Sequence, residues 1–196
     1  MIHRLVPLLV AAAAAGCSVI PERPPAPELY DLGPARATRQ APAVATPYFV
    51  TVEAPGWLQT SDIFYRSGAA GGAALARYRQ HVWIASPAAL LEARLASQLA
   101  GTLPASSPAP ARRLVVTLEN FEQRLAPQDR SQAFIRARAS VLDPRTRLIL
   151  ARRQFMLQEP APADAAGAVA GLSTASDRLV MQMLDWLASL PPEPVP

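Results

Sequence analysis

The sequence has 196 residues, of which 51% are hydrophobic, and all 19 of its basic side chains are arginine. This length suits one domain with a core of its own. The net charge is only +4 at pH 7 and the arginines are spread along the chain, whereas nucleic-acid-binding proteins cluster their positive charge. The single cysteine, Cys17, excludes an internal disulfide. We therefore expect neither a disulfide scaffold nor a nucleic-acid partner.

Residues 1–16 have the pattern of a secretory signal peptide. Arg4 supplies the positive start, and the apolar run that follows, from Leu5 to Ala15, is shorter than the roughly 20 residues that a membrane-spanning helix needs. The next residues, AAGC up to Cys17, resemble the lipobox of bacterial lipoproteins. That resemblance implies cleavage before Cys17 and acylation of its thiol, with palmitate or similar chains. An ordinary signal peptide with an incidental cysteine is the alternative.

The segment after the cysteine is predicted to be a tether. Residues 18–27 contain four prolines, which favour an extended chain of about 3 Å per residue and lift the domain off the lipid. Ser18, directly after Cys17, favours the outer membrane under the enterobacterial sorting rule, and the periplasmic face of the inner membrane is the alternative. Residues 191–196 are also proline-rich and are predicted to be a disordered tail. The folded domain is expected over residues 28–190.

Strands are predicted where apolar and polar residues alternate. A short first strand is expected over Glu28–Leu32. Gly68–Gly72 is expected to form the turn of a hairpin between the third and fourth strands. The three later strands lie close together in the sequence, which favours antiparallel pairing. The further predicted strands are Tyr48–Glu53, Asp62–Arg66, Ala74–Tyr78, Leu114–Glu122, Ala133–Leu142 and Leu148–Leu157.

Two helices are predicted. The first begins at Ser86–Pro87, because serine caps free amides and proline suits a first turn, and it ends at Gly101. The second runs from about Ala163 to Leu190 and carries an apolar stripe that faces the core or, alternatively, a lipid or partner. The element order predicts a single α/β domain, α+β-like in order. It is expected to have a mixed or antiparallel sheet of about five to six strands with helices packed on it.

The sequence offers little material for catalysis. His81 is the only histidine after the signal peptide, and Gly171–Ala175 (GLSTA) lacks the second glycine of a nucleophile elbow. Glu119 and Glu122 lie three apart on a predicted strand, which points them to opposite faces and prevents them from acting as an acid–base pair. We expect no enzyme activity, no metal site and no cofactor.

Four aromatic residues are candidates for a partner or lipid surface: Trp57, Tyr65, Tyr78 and Trp83. Aromatic side chains are enriched at interaction hot spots, but they also fill cores, and packing between sheet and helix is the alternative for all four.

An ordered set of residues resembles the ABC-type transport auxiliary lipoproteins, PqiC-like. The likeness covers about Tyr30 to Leu190 and is most specific from Ile63 to Pro87, with Gly68–Gly72 richer in glycine than the family pattern. The residues that carry it are Tyr30, Leu32, Leu58, Ile63–Arg66, Tyr78, Trp83, Ser86–Pro87, Leu91, Leu118, Phe121–Glu122 and Trp186–Leu187.

The resemblance implies a non-enzymatic accessory of lipid transport. Its implied partners are ABC transporter and MCE-domain membrane proteins that carry lipid between the inner and outer membranes, and symmetric partners favour a homo-oligomer. Two alternatives stay open. One is a stand-alone lipid carrier that holds its ligand between the sheet and the last helix, and the other is a lipoprotein that regulates a cell-wall enzyme.

Overall fold

The structure is a computed structural model that describes residues 25–36, 40–44, 46–68, 72–102, 111–127 and 131–191. The predicted signal peptide, Cys17 and most of the predicted tether and tail lie outside these residues. The elements, in chain order, are β1 (Glu28–Tyr30), β2 (Tyr48–Glu53), a 3-10 turn (Gly56–Leu58), β3 (Asp62–Ser67), β4 (Leu75–Trp83), α1 (Pro87–Ala100), β5 (Arg112–Leu125), β6 (Gln132–Leu142), β7 (Ile149–Pro160) and α2 (Ala165–Ala188).

All seven strands belong to one mixed sheet in the order β1-β4-β3-β5-β6-β7. β2 and β3 lie one after the other along the same side of β5, and both run parallel to it. β3–β4, β5–β6 and β6–β7 are antiparallel, and β1 is parallel to β4. The predicted mixed sheet with packed helices is confirmed. The sheet exceeds the predicted strand number because the short β1 pairs fully with the end of β4.

Both helices begin at a capping side chain, and that of α1, Ser86, is the one that the sequence indicates. The Ser86 hydroxyl accepts a hydrogen bond from the Ala89 N–H at 3.3 Å, and the Asp164 carboxylate accepts one from the Gly167 N–H at 2.6 Å. α1 packs on β2, and α2 packs on β5, β6 and β7. The stripe of α2 faces the core, and its fully buried members include Leu172, Leu179, Met183 and Leu184.

α2 lies very close to the sheet at Gly171. A β-carbon at this position would come within 2.8 Å of the Ala161 β-carbon and 2.9 Å of the Ala133 β-carbon. A second contact joins the helices, since the Arg94 guanidinium on α1 pairs with the Asp177 carboxylate on α2 and also donates to the Gly33 carbonyl. These contacts fix one face of the sheet against both helices.

Candidate functional site

The other face of the sheet carries no helix among the described residues. On β6, Ala133 and Ile135 point towards α2, so Phe134, Arg136 and Arg138 point the other way. We call this surface the open sheet face. It comprises Arg66 on β3, Glu122 and Arg124 on β5, Phe134, Arg136 and Arg138 on β6, and Gln154 and Met156 on β7.

A buried carboxylate lies at the centre of the open sheet face. Glu122 is fully buried, and its two oxygens accept hydrogen bonds from Arg66 Nε at 2.9 Å and Arg124 Nε at 3.2 Å. Arg66 also donates to the carbonyls of Gly72 and Ala73 in the hairpin after β3. Two arginines therefore share one carboxylate, and the cluster keeps a net positive charge.

Phe134 is buried on this face by arginines instead of by a helix. The Arg124 guanidinium carbon lies 3.3 Å from the centre of its ring, and that of Arg136 lies 5.8 Å away. Such contacts are favourable because the ring face is electron-rich. Within the described part of the chain, the buried Nε of Arg136 has no hydrogen-bond partner. On the open sheet face, the guanidinium groups of Arg124 and Arg136 therefore pack over the ring of Phe134.

The prediction that Glu119 and Glu122 point to opposite faces is wrong. The β5–β6 register shifts between Leu118 and Asn120, so an extra residue enters the strand at this point. As a result Glu119 pairs with Arg138 on the open sheet face, which also holds Glu122. Each carboxylate has its own arginine partner, which favours a structural role for both.

Four exposed hydrophobic side chains gather at one end of the sheet. Phe49 pairs with Arg113, Arg113 with Leu142, and Leu142 with Ile149, so these residues share one row across four strands. Sequence reasoning missed this patch because it treated β2 and β7 as ordinary strands. A signal was present: four consecutive apolar residues lie between Arg147 and Arg152. The exposed side chains are Phe49, Leu148, Ile149 and Leu150.

Tyr65 and Tyr78, two of the predicted surface aromatics, lie side by side. Their ring centres are 4.7 Å apart, and both line a surface groove of about 630 Å³ that opens beside Pro27, at the end of the predicted tether. The Tyr78 hydroxyl donates to the Gln123 side-chain oxygen at 2.6 Å, and Gln123 in turn donates to the Pro162 carbonyl before α2. Burial, with smaller contributions from Tyr65 and Asp164, raises the pKa of Tyr78 to about 12.

The two predicted tryptophans lie elsewhere. Trp57 is half-buried and packs edge-on against Phe64 at 5.5 Å between ring centres. Trp83 is 1% exposed and packs against Phe121 in the core. The structure therefore brings Tyr65 and Tyr78 together and leaves the two tryptophans outside their groove.

His81 lies at the edge of the sheet and not in a catalytic cluster. Its Nδ1 is 3.1 Å from the Tyr30 hydroxyl and 3.4 Å from a Glu28 carboxylate oxygen, and one third of its side chain is exposed. Over the described ranges, no three histidine, cysteine or acidic side chains are grouped so that they could hold a metal ion. Neither described helix is both long and apolar enough to cross a bilayer.

A family model described as the ABC-type transport auxiliary lipoprotein component matches residues 30–184, from β1 into the last turns of α2. The chain belongs to this family. The match includes the open sheet face, the two tyrosines of the groove (Tyr65 and Tyr78) and the exposed end of the sheet. These surfaces are therefore part of the auxiliary lipoprotein domain. No curated protein matches the sequence of this auxiliary lipoprotein.

Solved structures share the fold of this auxiliary lipoprotein. A Xanthomonas campestris protein assigned to family DUF330 aligns with a TM-score of 0.65 at 20% identity, over 83% of this chain and 92% of its own. An uncharacterized protein aligns with a TM-score of 0.60 at 17% identity, over 83% of this chain and 99% of its own. At these identities the likeness establishes the fold.

Proposed function

We propose that this protein is a non-enzymatic lipoprotein that serves as an accessory component of an ABC/MCE-type lipid transport system linking the inner and outer membranes. In this proposal the acylated Cys17 holds it at the periplasmic face of the outer membrane, and residues 18–27 give it reach. The family of transport auxiliary lipoproteins supports the accessory role. The lipobox-like AAGC sequence and Ser18 support the anchor and its membrane.

The observation that carries the proposal is a sheet face over which the described part of the chain places no helix. A sheet usually buries at least one face, and here the helices bury one while the other exposes arginines and apolar side chains to contact from outside. Aromatic and arginine side chains are the groups that protein interfaces favour. A docking function needs such a surface and no catalytic cluster.

The stand-alone carrier is less well supported. It requires an apolar cavity between the sheet and α2, but the described residues pack there in direct contact. Gly171 leaves no room for even one added carbon beside Ala133 and Ala161, and Leu172 is fully buried. Native mass spectrometry of the purified protein would reveal a bound lipid if a carrier function were correct.

Co-purification tests the docking proposal. We expect an affinity-tagged full-length protein, solubilised from membranes in mild detergent, to recover an ABC permease or an MCE-domain protein. Arg136→Glu together with Arg138→Glu should reduce that recovery, because both reverse charge on the open sheet face. Arg36→Glu together with Arg178→Glu makes the same change in net charge at two exposed arginines on the helix side of the domain and is the matched control. Recovery of a cell-wall synthase instead, or of no transport component, would contradict the proposal.

Metabolic labelling tests the anchor. We expect labelled palmitate to enter the protein and Cys17→Ser to abolish both labelling and membrane retention. Fractionation should place the protein in the outer membrane, and Ser18→Asp should move it to the inner membrane where the enterobacterial rule applies. A Cys17→Ser variant that stays membrane-bound without palmitate would refute the lipid anchor.

A further inference from the structure

The exposed end of the sheet is a protruding, apolar surface. We call it the hairpin tip. It comprises Phe49 on β2 and Asp143–Leu150, which form the turn between β6 and β7 and the first two residues of β7. Phe49 is 69% exposed and Leu148 is 66% exposed, and Ile149 and Leu150 are each 49% exposed. Single exposed hydrophobic residues are ordinary, but a group of four at one end of a sheet points to an interaction.

The turn of the hairpin tip is held in shape by its own hydrogen bonds. The Asp143 carboxylate accepts from the N–H groups of Arg145 at 2.8 Å and Thr146 at 2.7 Å, and the Asp143 N–H donates to the Leu148 carbonyl at 3.0 Å. Arg147 has φ +61°, a left-handed conformation that non-glycine residues rarely adopt. The chain therefore holds Leu148 outwards on a rigid, strained turn, and such strain is typical of functional sites.

Arginines surround the apolar side chains of the hairpin tip. Arg113, Arg145, Arg147 and Arg152 are all exposed. Among the described residues of the tip, Asp143 is the one acidic side chain, and its carboxylate is already bonded to the turn, which holds its pKa below the ordinary value. The surface thus combines exposed hydrophobic groups with an excess of positive charge from its arginines.

We propose that the hairpin tip inserts shallowly into the surface of an anionic bilayer. Its apolar side chains would enter the boundary between headgroups and acyl chains, and its arginines would bind lipid phosphates. Guanidinium matches phosphate in charge and in hydrogen-bonding geometry, and basic segments are attracted to anionic lipid surfaces. The tip combines exposed apolar side chains with arginines, which suits the lipid interface, where acyl chains and phosphates lie close together.

The dimensions of the domain permit this contact, given the acylated Cys17 of the proposed function. The strand registers place the tip about 25 Å along the strands and about 20 Å across the sheet from Glu28, or about 30 Å in all. The predicted tether, residues 18–27, spans about 30 Å when extended. The acyl chains on Cys17 and the hairpin tip can therefore contact the same bilayer at the same time. Two points of contact would fix the orientation of the domain relative to the membrane.

Fluorescence quenching by brominated lipids tests this inference on the full-length, acylated protein. The protein is reconstituted into phosphatidylcholine–phosphatidylglycerol vesicles whose acyl chains carry bromine. The tip variant is Leu148→Trp, and Ile84→Trp, 58% exposed but far from the tip, is the matched control. We expect the added tryptophan fluorescence to be quenched in Leu148→Trp and unchanged in Ile84→Trp, after subtraction of the signal of the three native tryptophans.

A charge variant gives a second measurement. Arg145→Gln with Arg147→Gln should lower the equilibrium constant for insertion of the tip roughly 5-fold for each arginine removed. Vesicles in which phosphatidylcholine replaces phosphatidylglycerol should lower the same constant for the unsubstituted tip. Equal fluorescence of Leu148→Trp in brominated and ordinary vesicles would overturn the inference, as would cross-linking of the Leu148→Cys variant to a protein partner without any quenching.

The outcomes separate this inference from the proposed function. If Cys17 is not acylated, the protein will not stay with the vesicles, and the anchor fails. If it stays and Leu148→Trp is not quenched, only the tip inference fails. If quenching occurs but no transport component co-purifies, only the docking proposal fails. Circular dichroism spectra matching those of the unsubstituted protein confirm that each variant is folded.

Discussion

The two faces of the sheet are built from the same strands but stabilised in different ways. On β6, Ala137 and Ala139 face the helices and are fully buried, while Arg136 and Arg138 alternate with them on the open sheet face. Small side chains let α2 approach closely, and van der Waals packing then supplies most of the stability on that side. The open sheet face instead relies on ion pairs and arginine–aromatic contacts, which tolerate water. The first face determines the fold, and the second is free to interact.

Two leucines give the sharpest test of this difference. Leu179→Ala on the covered face removes a fully buried side chain from between α2 and the sheet, and we expect it to lower the free energy of unfolding by about 3 kcal/mol. Leu148→Ala at the hairpin tip should change it by less than about 0.5 kcal/mol, because the side chain is largely exposed. Urea denaturation followed by circular dichroism measures both. Similar losses would mean that the tip packs against something in solution.

Two glutamates on the open sheet face sharpen the comparison. Glu122→Gln leaves Arg66 and Arg124 without their buried carboxylate, and we expect a loss of about 2 kcal/mol in unfolding free energy. Glu119→Gln breaks the exposed pair with Arg138 and should cost less than about 1 kcal/mol. The same denaturation experiment applies. Equal, small effects would show that the open sheet face adds little to stability.

The effect that is smallest at neutral pH comes from Tyr78, because its ionisation affects stability only at alkaline pH. Burial raises the pKa of Tyr78 to about 12, above the ordinary tyrosine value of about 10. The unfolded chain therefore loses this proton first, so its contribution to stability is complete below pH 10 and is lost as the pH rises from about 10 to about 12. Absorbance at 295 nm should show one tyrosine titrating near pH 12, and Tyr78→Phe should remove that step. A titration in which Tyr78→Phe removes a step near pH 10 would contradict the burial.

Sequence patterns predicted local structure well where one face is buried. β6 was predicted within one residue of its observed bounds, because apolar residues recur at every second position from Ala133 to Val141, with Arg136 and Arg138 between them. β4 was predicted to end at Tyr78 but continues to Trp83, since the β3–β4 register shifts between Asp62 and Phe64 and breaks the alternation. The parallel pairing of β2 on β5 has no local signal, because it depends on contacts between distant parts of the chain.

The candidate site was less predictable than the fold. Tyr65 and Tyr78 share a groove, and no spacing rule could show which aromatic residues end up beside each other. The exposure of Leu148 depends on the absence of a helix over one end of the sheet, and the sequence of a strand does not reveal what covers it. Acylation of Cys17 is predicted from the signal-peptide and lipobox pattern, and this residue lies outside the described residues.

The order of pairing along β5 also bears on when the chain can fold. β2 and β3, both in the first half of the sequence, form their parallel contacts only with β5, which is synthesised much later. The central strand and the final helix must therefore both leave the ribosome before the core can close, and such distant pairings assemble slowly. A chain whose core depends on such distant pairings therefore stays unfolded for longer after synthesis than one whose strands pair with their neighbours in sequence.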